Sequence, residues 1–121
     1  ERIDPLTADA QPLKGDTPRE NTTIAIVATD AVLTKGQAKR MAIMAHDGLA
    51  RAIRPSHAPM DGDVVFSAAT GASGRTADLR QLAELGALAA TCLSRACARG
   101  VYAATALPFP RALPAWKDRF K

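Results

Sequence analysis

Residues 22–29 read Thr-Thr-Ile-Ala-Ile-Val-Ala-Thr, and this run decides the fold. β-Branched and apolar side chains pack well on a pleated surface, so the run predicts a buried strand. Just downstream, Thr34-Lys35-Gly36-Gln37 fits a capping box, in which a Thr side chain and a Gln three residues later each satisfy an amide donor at a helix start. Met41, Met44, Ala45, Gly48, Leu49 and Ala52 then recur at helical spacing until Pro55 forbids continuation. An amphipathic helix is expected from about Lys35 to Ile53, with small residues that permit close packing. After the loop at 54–60, Asp61-Gly62-Asp63 leads into a second apolar strand, VVFSAAT at 64–70, and then into the turn Gly71-Ala72-Ser73-Gly74. From Ala77 to about Thr105 the chain predicts a long helix that could break at Gly100. Leu79, Leu82, Leu85, Cys92, Leu93, Ala96 and Cys97 form its expected apolar face, and Asp78 favours its first turn. The class is therefore α/β in the order β, α, β, α. Two strands are too few to make a sheet that covers both helices, so further strands are expected from a partner.

Upstream of the first strand, residues 1–21 place Pro5, Pro12, Gly15 and Pro18 among charges without an apolar period, which predicts an extended linker. The opening Glu1, in place of a Met or a signal segment, reads as an excised stretch of something longer. Downstream, Pro108, Pro110 and Pro114 argue against regular structure in the tail, and Trp116 and Phe120 are expected to dock on a neighbouring surface, as an oligomer contact would.

The 121 residues are 47% hydrophobic and 23% charged, a globular composition whose apolar blocks are too short to span a bilayer. A soluble, cytoplasmic protein without membrane contact is expected. The formal charge of +4 is uneven: residues 1–21 carry three bases and five acids, whereas residues 22–121 carry thirteen and seven. Those bases are scattered along helices with only five aromatic residues to stack on bases, which argues against a nucleic-acid partner. Cys92 and Cys97 lie five positions apart in a helical pattern, about 7.5 Å of axial rise. That is too far for an unstrained disulfide, so both are expected as reduced core residues. His46 and His57 each stand alone and neither Cys pairs with a His at ligand spacing, so no metal or other cofactor is expected. No Gly-x-Ser-x-Gly elbow is present, and Ser73 lies in a plain Gly-rich turn.

What remains is Asn21-Thr22-Thr23, where a polar linker meets a strand. Cutting the chain there would give Thr22 a free amine, and an α-amine with a pKa of about 7.7–8.0 is partly neutral near pH 7 and can take the hydroxyl proton. Nucleophile and base then reside in one residue. The same residues also suit plain turn chemistry before a strand. Asp61 and Asp63 add a second feature, because two positions apart in an extended segment they project to one side, and Gly62 lets another backbone or a substrate approach. Two such carboxylates repel, so one can move a proton while the other stays charged beside the Thr. They can equally cap the strand as a solvated turn.

Taken together, NTTIAIVATDA, LTKGQAKRMAIMAHDGLARAIRP and DGDVVFSAATG resemble the L-aminopeptidase/D-esterase family of N-terminal nucleophile hydrolases, most closely its nylon-oligomer hydrolase branch. The likeness runs over roughly residues 21–105. It implies a four-layer αββα sandwich of the type shared with ornithine acetyltransferases, made from an α chain and a short β chain cut from one precursor. On that likeness residues 1–21 are the tail of the α portion, Asn21-Thr22 is the autocleavage site, and residues 22–121 are the β-subunit. Thr22 is implied as nucleophile, with Asp61 and Asp63 as its aligning acids. The family's other site residues, an Asn for the oxyanion with Tyr and Lys groups, belong to the α chain.

The expected activity is hydrolysis of amide bonds in short peptides or aminohexanoate oligomers through a Thr acyl-enzyme ester, without a cofactor. Before the cut, Asp61 or Asp63 would serve as base and drive Thr22 Oγ1 onto the Asn21 carbonyl. The implied partners are the α-subunit, further αβ units in a homo-oligomer, and a small peptide or amide substrate. Two alternatives stand: acyl transfer to an amine, as in the ornithine acetyltransferases, and a non-catalytic structural subunit.

Overall fold

The computed structural model describes residues 22–119. Asn21, the linker at 1–21 and Phe120 therefore lie outside the described residues. The elements run β1 (Ile24–Thr29), α1 (Lys35–Ala52), β2 (Val64–Ala69), α2 (Leu79–Ala103) and a short α3 (Trp116–Arg119). β1 and β2 pair in parallel, with Ile24 opposite Val64 and Thr29 opposite Ala69. An isolated parallel bridge between Val32 and Thr76 prolongs the pairing past the strand ends.

Local chemistry fixes both helix starts. Thr34 Oγ1 accepts from the Gln37 N–H at 3.2 Å, while Gln37 Oε1 accepts from the Thr34 N–H at 2.9 Å, which completes the expected capping box. Asp78 and Gln81 repeat the device at α2, so Asp78 acts as the N-cap and not as a residue of the first turn. α1 closes at Ile53, whose N–H donates to the Leu49 carbonyl. α2 runs through Gly100 unbroken to Ala103, so the helix does not take the break that the glycine allowed. The tail is not wholly irregular either, because past Pro114 nothing prevents the single turn of α3. Trp116 packs on the chain's own α2, its ring 5.9 Å from that of Tyr102.

Both helices lie on one face of the strand pair. Met41, Ala45 and Leu49 of α1 meet Val27, Val65, Ala89 and Leu93 in a single core. Met41 and Leu49 are almost wholly buried, and each such side chain contributes about 1.5–3 kcal/mol. The helices approach closely at Gly48, where a Cβ would collide with the Ala90 carbonyl oxygen. Ser67 Oγ donates to the Ala38 carbonyl at 2.6 Å and ties β2 to α1.

The strand is less buried than its composition suggests. Alternate residues point to opposite faces. Ala25 and Val27 turn to the helices, while Ile24 and Ile26 stay 72% and 67% exposed, next to Phe66 at 56%. α2 departs from expectation in the same way: Leu82 and Leu93 are buried, whereas Leu79, Cys92 and Ala96 are exposed. Cys92 is thus not a core residue, and both cysteines are free, as expected. Among the described residues no helix is long and apolar enough to cross a membrane.

Candidate active site

The backbone of Thr23 is held from both sides at the amino ends of the parallel strands. Its N–H donates to Asp63 Oδ1 at 2.9 Å. Its carbonyl accepts from the Val64 N–H at 2.9 Å. Thr22 stands one residue earlier, exposed at the end of the strand pair. Its hydroxyl lies against Gly62, where a Cβ would sit only 2.7 Å from Thr22 Oγ1. What the missing Cβ of Gly62 admits is the Thr22 side chain, not the second backbone or the substrate that the sequence suggested.

The two carboxylates flank that glycine in different settings. Asp61 folds back on its own loop: its Oδ2 accepts from the Ala58 N–H at 2.9 Å, and its N–H donates to the Ala58 carbonyl at 2.8 Å. This is the turn chemistry typical of Asp. The Asp63 side chain is only 1% exposed, and it reaches across 40 positions of sequence to Thr23. A charge so buried needs hydrogen-bonded partners.

One partner is a residue that spacing did not mark out. His57 Nδ1 lies 3.2 Å from Asp63 Oδ2, and the His57 N–H donates to the same oxygen at 3.4 Å. Its backbone takes a left-handed φ of 56°, uncommon for a residue other than glycine. His46, presented by α1, places its ring 5.0 Å from that of His57. The two histidines therefore do not stand alone. Their sequence positions carry no periodic signal, because the contact depends on how loop 54–63 folds. Among the described residues no three His, Cys, Asp or Glu side chains are grouped so as to hold a metal ion.

Chemically, the arrangement sets a surface hydroxyl at a strand end beside a buried carboxylate that grips the next backbone amide. The sequence model of peptidase family S58 matches residues 2–112, and the chain belongs to that family. It is similar to uncharacterized aminopeptidases of Mycobacterium bovis and Mycobacterium tuberculosis, 39% identical over 130 residues that cover 99% of this chain and 37% of each relative. Another uncharacterized aminopeptidase, from Mycobacterium leprae, is 47% identical over 94 residues, covering 69% of this chain and 26% of that protein. The chain thus spans between about a quarter and little more than a third of the length of these curated relatives.

Proposed function

We propose that this chain is the nucleophile-bearing β portion of a self-processing peptidase, cut between Asn21 and Thr22, with Thr22 as the hydrolytic residue. The observation that carries the reading is the packing of Gly62 on Thr22 Oγ1 between two carboxylates, one of them gripping the Thr23 amide. Membership of a peptidase family and the aminopeptidase names of the mycobacterial relatives support peptide-bond hydrolysis at a free amino end. Short peptides are the substrate class that follows, with aminohexanoate oligomers as the variant the nylon-hydrolase likeness adds.

In the precursor a carboxylate, Asp61 or Asp63, takes the Thr22 hydroxyl proton as Oγ1 attacks the Asn21 carbonyl carbon. The peptide C–N bond breaks as the protonated carboxylate returns that proton to the nitrogen, which leaves as the new Thr22 amine, and water hydrolyses the resulting ester. In the mature enzyme that amine is the base. Thr22 Oγ1 attacks a substrate amide, the amine passes the proton to the leaving nitrogen, and water frees the acyl group. The uncovered face bearing Ile24, Ile26 and Phe66 supports a second sheet supplied by the α portion, which would complete the αββα layering, with αβ units assembling further.

The test is Thr22→Ala in the full precursor. Intact mass should show an uncut chain, and amide hydrolysis should fall on the order of 10⁴-fold or more. An unchanged cleavage pattern would refute the assignment.

A further inference from the structure

We propose that His57 is a positioning residue for the nucleophile, holding Asp63 from behind so that Asp63 holds the Thr22–Thr23 backbone. The inference rests on the reading of Thr22 as nucleophile and assigns a role to a residue that reading does not use. Three observations converge on it. His57 brings two donors to one carboxylate oxygen, its Nδ1 at 3.2 Å and its backbone N–H at 3.4 Å. The other oxygen of that carboxylate accepts from the Thr23 N–H at 2.9 Å, so the chain runs from the imidazole to the amide next to the nucleophile. Finally, His57 is held in the left-handed region at φ 56°, with its ring against that of His46, a conformation that the surrounding contacts must maintain.

The physical logic is one of orientation. A carboxylate gripped through both oxygens is held against rotation about its Cβ–Cγ bond. Fixing Asp63 fixes the Thr23 amide, and with it the direction in which Thr22 presents Oγ1 over Gly62. Misplacing a reacting atom by about 1 Å costs on the order of 10²-fold in rate. An imidazole with a proton on Nδ1 is the donor this geometry asks for, and His57 acts on Thr22 only through Asp63.

Substitutions at one position separate this role from loop folding. His57→Asn keeps a side-chain N–H near the place of Nδ1 and tolerates positive φ, whereas His57→Gly relieves the backbone and removes the donor. His57→Asp has the shape of Asn but offers an acceptor to an acceptor. Each variant is made in the full precursor, with the autocleavage rate read by intact mass and kcat and KM measured on a dipeptide amide after cleavage.

The expected result is near-normal cleavage for His57→Asn and about 10²-fold slower cleavage for His57→Gly and His57→Asp, with kcat falling and KM steady. Equal rates for Asn and Asp, or a wild-type rate for Gly, would overturn the proposal. If His57→Gly fails to fold, the Asn and Asp pair decides alone. Thr22→Ala, run alongside, keeps the two readings apart: loss of cleavage there with wild-type behaviour at His57 sinks only the positioning role.

Discussion

The two ends of the parallel strand pair are tied by similar bonds and built for different purposes. At the carboxyl ends, Ser73 Oγ donates to the Asp30 carbonyl at 2.9 Å and the Ser73 N–H donates to the same oxygen at 2.9 Å. Those groups are neutral, exposed, and sit in a glycine turn. The amino ends are crossed by Asp63, a charged group with 1% of its side chain in solvent. Exposed neutral bonds hold a loop at little cost, whereas a buried carboxylate is expensive and persists only where it is well partnered. In open parallel sheets ligands usually bind beyond the carboxyl ends. Here the costly group stands at the opposite end, as expected if the reactive atom is made by starting the chain at Thr22.

That contrast can be broken experimentally. The largest effect should come from Asp63→Ala, which orphans the Thr23 N–H and removes the acceptor for His57. It should lower unfolding free energy by about 3 kcal/mol in urea denaturation and abolish cleavage in the full precursor. Gly62→Ala comes next. A Cβ at 2.7 Å from Thr22 Oγ1 forces the hydroxyl to move, so autocleavage should slow about tenfold while stability changes by less than about 1 kcal/mol. Ser73→Ala should matter least, with a stability loss within about 1 kcal/mol and a wild-type mass pattern. If Ser73→Ala slowed cleavage as much as Gly62→Ala, the division of labour between the two ends would be wrong.

Much of the scaffold was legible because it depends on local rules. The Thr34–Gln37 capping box and the stop before Pro55 bracket α1, and its buried positions Met41, Ala45, Gly48 and Leu49 follow helical spacing. The one-sidedness of β1 was hidden because its larger side chains, Ile24 and Ile26, face outward while Ala25 and Val27 face the helices. Apolarity on both faces erases the alternation that would have revealed it. α2 misled in the same way, with Leu79 and Cys92 apolar yet exposed. At the site, the pairing of Asp61 with Asp63 was visible as spacing, but their different surroundings were not. Asp61 closes a local turn, while Asp63 depends on a partner 40 positions away. The contact of His57 with Asp63 was not legible because the two lie six positions apart along an irregular loop, and no period predicts such a contact.

The uncovered side of the strand pair also dictates an order of events. A sheet surface bearing Ile24, Ile26 and Phe66 adheres to the first apolar surface it meets, including another copy of itself. On the proposed maturation route the α portion stays tethered while Asn21 and Thr22 remain joined, and wins by proximity. Scission that ran ahead of docking would release a sticky orphan, so on the proposed maturation route assembly comes first and the cut second.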